Sequence, residues 1–162
     1  MESSRPASAD DIPRVVELAE AMRAELGGMR GGALWLARDA WPDPLEDAYG
    51  TLLTRDDALV LVGTIDDVAL GFGAVVVERL RSGARLGVIT DLYVEPEARE
   101  VGIGEAMADA LVEHCTAAGC IGVDATALPG NRAAKNFFET HGFTARSLTM
   151  HRRLGPAPVD GP

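Results

Sequence analysis

The residues best equipped for chemistry lie in one stretch, Leu92-Tyr93-Val94-Glu95-Pro96-Glu97-Ala98-Arg99-Glu100-Val101-Gly102-Ile103-Gly104. A β-prone run ends at Pro96, and two glycines one residue apart open an amphipathic run. A helix starting there presents unpaired N–H groups and the positive end of its dipole, while bare glycines let a phosphate approach the backbone. The chemistry on offer is pyrophosphate binding. Close packing of a helix on a strand explains Gly102-Ile103-Gly104 equally well. The stretch is neither a Walker loop, since no Gly-Lys-Ser/Thr follows, nor a dinucleotide fingerprint, since the third glycine is missing. Asp91 is the only acid inside the run 84–94. Strand alternation sets Asp91 and Tyr93 on the face opposite Leu92 and Val94, unless a bulge intervenes.

These residues need a frame, and the chain's periodicity supplies one. Asp10 caps a first helix with Pro13 in its opening turn, and Ile12, Val15, Val16, Ala19, Met22 and Leu26 share one face up to Gly27-Gly28. Residues 29–41 give a mixed signal, a loop or short helix carrying Trp35 and Trp41. Asp43-Pro44 starts a second helix striped by Leu45, Ala48, Tyr49, Leu52 and Leu53. Runs 58–65, 69–80 and 84–94, punctuated by Asp66-Asp67 and Ser82-Gly83, read as an antiparallel meander. A helix over about 102–118 stops at Gly119, and a strand over 120–128, a helix over 131–141 and a last strand over 144–154 follow. The order β-α-α-β-β-β-α-β-α-β predicts an α/β (α+β) fold, a mixed and mostly antiparallel sheet flanked by helices, with one parallel pair joined by a crossover.

Length and composition narrow the function. The chain has 162 residues, enough for one domain over 4–154 with a frayed, low-complexity tail at 155–162. Hydrophobic residues make up 47% and charged residues 25%, the balance of a folded, water-soluble protein. Fifteen Lys and Arg against twenty-five Asp and Glu leave a formal charge of −10. Such a surface repels nucleic-acid phosphates and anionic membranes and attracts cationic amines. Two cysteines, Cys115 and Cys120, do not make a disulfide framework, and a reducing cytoplasm is the expected location. His114, His141 and His151 form no spaced metal set, so no metal is expected. No apolar run reaches the ~20 residues of a membrane span, and the N-terminus lacks the apolar middle of a signal peptide.

Leu92-x-Val94-x-Pro96 followed by Arg99-x-x-Gly102-Ile103-Gly104 resembles the acyl-CoA motif of the GNAT superfamily of N-acetyltransferases. A second block, Asn131, Ala134, Phe137, Phe138, Glu139 and His141-Gly142-Phe143, is similar to that family's Asn-x-x-Ala-x-x-Phe-Tyr-Glu-x-x-Gly-Phe, and the opening Arg5-Pro6-Ala7 with Asp10 matches its usual start. The resemblance implies an acetyl-CoA-dependent acyltransferase that moves an acetyl group directly to a primary amine of a small molecule or peptide. It also implies that backbone amides from Arg99, Glu100, Val101, Gly102, Ile103, Gly104 and Glu105 hold the pyrophosphate. The strand Leu92, Tyr93 and Val94 would pair with the pantetheine arm, the Leu92 amide would face the thioester carbonyl, and Asn131 would touch the arm. Lys135 reaches a phosphate or is simply solvated, and a homodimer is one assembly open to the chain, whose oligomeric state the sequence does not fix.

One departure stands out: Phe138 replaces the family's proton-donating tyrosine and reads as packing against cofactor or core. A thiol of pKa near ~8.5 leaves tolerably without an acid. The acceptor amine, with pKa near ~10.4, must lose a proton. Asp91 is the candidate base or orienting group and Tyr93 a pocket wall, although for a single acid on a strand a local backbone or water contact is the commoner role. Trp35 and Trp41 either wall the acceptor site or pin a loop to the core. Because of Phe138, a non-catalytic acyl-CoA-binding module is the alternative reading.

Overall fold

The computed structural model describes residues 1–156 and falls into two compact units, one of residues 1–22 with 41–126, the other of residues 23–40 with those from 127 onward. Residues 157–162, most of the expected tail, lie outside the described residues.

The first unit is built on a five-stranded sheet of order β1-β2-β3-β4-β5. Its strands are β1 (Glu2–Pro6), β2 (Ala58–Ile65), β3 (Val68–Arg79), β4 (Arg85–Val94) and β5 (Cys120–Ala125). The first four are antiparallel neighbours, and β5 runs parallel to β4 after the helical crossover α4 (Ile103–Ala117). The β2–β3 hairpin turns on Asp66 and Asp67 with φ of 47° and 68°, the paired left-handed conformation that matches the twist of a two-residue hairpin.

α4 buries Ile103, Met107, Ala108, Leu111 and Cys115 on one face of the sheet. Glycines make the seat. A Cβ on Gly63 would lie 2.4 Å from Ile103 Cγ2, and one on Gly87 would lie 2.3 Å from Cys115 Sγ. The opposite face holds α3 (Leu45–Leu53), whose Tyr49 ring meets Phe72 of β3 edge-on at 5.6 Å. Val15, Val16, Leu18, Ala19 and Met22 of α1 (Ile12–Gly27) complete the buried set on the helical side.

The register of β3 and β4 slips at one point: Ala74 pairs with Asp91, but Val75 pairs with Ile89. Thr90 is therefore an extra residue, a β-bulge. Before it, Gly87 looks toward α4, and Ile89 follows it on the same face. After it, Leu92 keeps company with Gly73 and Leu111 on the α4 face, and Asp91 and Tyr93 turn to the α3 face. The ladder between β4 and β5 ends at Ile89 and Ala125, where the bulge begins.

Several expected boundaries move. Ser8, not Asp10, opens the first helical segment, in a capping box with Asp11 whose carboxylate also takes a two-pronged bond from Arg5 at 2.7 and 2.9 Å. Pro44 occupies the N-cap of α3, so Asp43 is one residue too early to cap it. The strand expected over 120–128 stops at Ala125, because β4 no longer runs beside it.

The second unit contains α2 (Gly32–Leu34), a π-helical turn at Trp35–Asp39 and α5 (Arg132–Thr140). Trp35 is buried there. The strand expected over 144–154, the last β of the sequence order, does not form. Its Thr, Leu and Met residues suit a pleated, half-buried surface, and that preference is realised only against a neighbouring strand. Leu148, Met150 and Leu154 stay exposed instead.

Candidate active site

The bulge opens an edge. Beyond Ile89, β4 has no β5 partner among the described residues, while its ladder with β3 continues to Val94. The Glu95 N–H donates to Leu70 O at 2.9 Å, which sets the phase of that ladder. Antiparallel alternation then makes Tyr93 with Phe72, and Asp91 with Ala74, the bonded pairs. Leu92 and Val94 consequently point their N–H and C=O groups away from β3, toward the side that β5 has left. At the end of this edge Arg99 Nε donates to Val94 O at 2.8 Å, and its guanidinium lies 5.4 Å from the Tyr93 ring centroid.

The chain then turns through a 3-10 segment, Pro96–Ala98, and enters α4 by two left-handed residues, Glu100 at φ 68° and Gly102 at φ 98°. Gly102 is the N-cap and supplies no side-chain bond. The first-turn amides of Ile103, Gly104 and Glu105 thus have no acceptor from the cap, and the helix dipole adds its positive end. Anionic groups gather there already: Glu105 sits in the first turn, and a Cβ on Gly102 would lie 3.1 Å from Glu2 Cγ and 3.5 Å from its Oε1. An outward-facing strand edge leading into an uncapped helix start suits an elongated ligand with an amide-bearing arm and a pyrophosphate.

Asp91 lies on the other face of β4 and is buried, only 4% exposed. Its Oδ2 accepts from Trp41 Nε1 and from Thr90 Oγ1, both at 2.9 Å, and its Oδ1 accepts from Tyr49 OH at 3.0 Å. Trp41 Nε1 also reaches Thr90 Oγ1 at 3.3 Å. Burial pushes the carboxyl up to about 6, with the three donors pulling the other way. Of the three donors, Thr90, the bulged residue, is the one on β4, and like Trp41 it is half-buried, whereas Tyr49 is buried.

The sequence pointed to Asp91 and Tyr93 but not to Thr90 or Tyr49 as partners. Tyr49 reads as one more apolar residue on a helix stripe, and Thr90 becomes distinctive only through the bulge. Trp41, expected as a pocket wall or a loop anchor, does the anchoring through its ring N–H.

Of the remaining candidates, all but His114 belong to the second unit. Asn131 is the N-cap of α5, its Oδ1 accepting from Ala134 N at 3.1 Å. Lys135 is ion-paired with Glu139 one turn on. Phe138 packs against Phe137 and Phe143, with ring centroids 5.5 and 5.2 Å apart. His114 is half-buried on α4, and His141 Nδ1 lies 2.7 Å from Phe137 O. Among the described residues, no three His, Cys, Asp or Glu side chains gather as a metal site, and no helix is long and apolar enough to cross a membrane.

Known proteins share this plan. The family model described as Acetyltransferase (GNAT) family matches residues 21–143. Glucosamine 6-phosphate N-acetyltransferase 1 of Oryza sativa subsp. japonica is 31% identical, over 93% of this chain and 98% of its own. The crystal structure of glucosamine-6-phosphate N-acetyltransferase from Arabidopsis thaliana covers 96% of this chain and 99% of its own, with TM-score 0.69 at 21% identity. A tetramutant of the BH1408 protein from Bacillus halodurans reaches TM-score 0.79 at 20% identity, covering 93% and 99%. The two structures speak for the fold, while the family match and the rice relative span the β4–α4 segment and most of the chain. The chain belongs to the GNAT family of acetyltransferases.

Proposed function

We propose that the protein transfers an acetyl group from acetyl-CoA to a primary amine of a small molecule, with an amino sugar phosphate as the first acceptor to try and a peptide amine as the next. The observation that carries this reading is the open edge of β4, with the Leu92 and Val94 backbone groups turned outward. Acetyl-CoA supplies an acetyl thioester, and the chain's own groups do the rest. Main-chain groups of Leu92 and Val94 pair with the pantetheine arm as a neighbouring strand would. Amides of Val101 to Glu105 and the α4 dipole hold the pyrophosphate. The Leu92 N–H donates to the oxygen on which negative charge gathers as the amine attacks.

An alkylammonium has no lone pair, so a proton acceptor is needed. Asp91 serves, although no amine reaches a buried carboxylate directly; Thr90 Oγ1 accepts the proton and passes its own to Asp91 Oδ2, 2.9 Å away. A carboxyl held near 6 is poised to accept at neutral pH. Tyr93, on the same face, lines the acceptor side. The departing thiolate takes its proton from water, consistent with a phenylalanine at position 138. Asn131, Lys135 and Phe138 enter this reading through the family's second block rather than through geometry.

One support favours an amino sugar phosphate: the rice relative, named for glucosamine 6-phosphate, matches over nearly its whole length. The net charge of −10 favours instead the acceptors that carry no anionic group, such as a polyamine or an aminoglycoside. The test is thiol release from acetyl-CoA with glucosamine 6-phosphate, a polyamine, an aminoglycoside and a lysine-bearing peptide, with products weighed by mass spectrometry. Saturable release with an N-acetylated product is expected for at least one amine. Calorimetric binding of CoA with no turnover across the panel would instead identify a binding module and sink the reading.

A further inference from the structure

We propose that Cys115 and Cys120 form an oxidant-responsive dithiol that peroxide closes into an intrachain disulfide, a modification site separate from acetyl transfer. Three geometric facts converge. α4 ends with Ala118 as C-cap and Gly119 in the left-handed conformation at φ 77°, and the Gly119 N–H donates to Thr116 O at 3.0 Å. Such an ending brings together the side chains two residues beyond the cap and three before it, here Cys120 and Cys115.

The sheet register agrees. Cys120, first residue of β5, pairs with Arg85, whose Nη1 donates to Ala118 O at 3.0 Å on the α4 side of the sheet. Two residues along β4 on that face, Gly87 lies directly under Cys115 Sγ. Both thiols therefore project from the same face at the same corner of the fold. Burial first, and the Cys120 thiol beside it second, push the Cys115 thiol up to about 11.

Exposure assigns the order of events. Cys115 has 0% exposure, whereas Cys120 is partly open to solvent, so a peroxide meets Cys120 first. The Cys120 thiolate attacks the peroxide, the O–O bond breaks, and a sulfenic acid forms with release of one water. Cys115 sulfur then attacks the sulfenic sulfur, the S–O bond breaks and a second water leaves. Two thiols are oxidised and one peroxide is reduced. Cys115, buried and protonated, is inert until its neighbour has reacted.

The test treats the folded full chain with hydrogen peroxide, then alkylates in denaturant before and after dithiothreitol. No lysine or arginine separates the two cysteines, so trypsin delivers both in one peptide, residues 100–132. That peptide should be about 2 Da lighter after oxidation, resistant to alkylation, and restored by dithiothreitol. In Cys115→Ser the reaction should stall at a Cys120 sulfenic acid that dimedone traps, and in Cys120→Ser the remaining thiol should survive the same exposure. The proposal fails if both wild-type thiols remain alkylatable, if the disulfide forms only between chains, or if wild-type Cys120 gains oxygen while Cys115 stays a thiol.

Discussion

Asp91 concentrates the residue-scale chemistry. Its carboxyl is raised from the ordinary carboxylate value to about 6 by burial, so the folded state favours the protonated form. Stability should fall as pH rises from about 4 to about 6, by about 1.4 kcal/mol per pH unit within that window, and level off above it. Asp91→Asn should flatten this slope in urea titrations at several pH values. Its amide oxygen can still accept from Trp41 and Thr90, and its amide N–H can donate to Tyr49 oxygen, so the fold has no reason to fail. In kinetics, the acid limb of kcat/KM near pH 6 should vanish in Asp91→Asn, with a loss of about 100-fold at neutral pH. An unchanged limb would remove Asp91 from the proton path. Glu100 makes a second case: it holds a left-handed conformation at φ 68° in the expected phosphate loop. Glu100→Gly should relieve about 1 kcal/mol of strain and lower the KM for acetyl-CoA by removing a negative charge, read from thermal melts and initial rates.

At the scale of elements, the bulge in β4 does two jobs with one extra residue. It turns Asp91 toward α3, and it coincides with the end of the β4–β5 ladder, leaving the edge at Leu92 and Val94 uncovered. Because Leu92 faces outward between bonded pairs, Leu92→Pro deletes its N–H without taking a bond from the ladder with β3. The variant should bind CoA within a few-fold of wild type by calorimetry and lose about 100-fold or more in kcat, the usual cost of one oxyanion donor. A loss confined to KM would assign the Leu92 amide to binding alone. The start of α4 is as sharply defined, because Gly102 at φ 98° provides a turn that side chains resist and a cap with no side chain to bond the first-turn amides.

For the whole molecule, the conflict lies between a charge of −10 and an anionic co-substrate. Attraction must be local, from helix-start amides at α4, while the surface at large repels. Salt screens the long-range part more than the short-range part. Raising ionic strength should therefore lower the KM for acetyl-CoA and raise it for a cationic amine, two opposite slopes measurable in one series of initial rates. Parallel slopes would show that net charge does not govern either encounter.

Local signals determined much of this protein. Paired aspartates at 66–67 and the β-prone runs specified the meander, Pro96 with Gly102 set the strand-to-helix turn, and Gly119 ended α4, because each acts through backbone preferences within a few residues. The loop that would cradle a pyrophosphate was legible for the same reason. Three things were decided only by tertiary structure. The bulge at Thr90 is a mismatch between two strands, which neither strand carries alone. The surroundings of Asp91 come from Trp41 and Tyr49, fifty and forty-two residues away, so its burial and raised pKa follow from packing rather than from neighbours in sequence. The run 144–154 has strand-forming residues and no strand, because β structure exists only where a partner completes its hydrogen bonds.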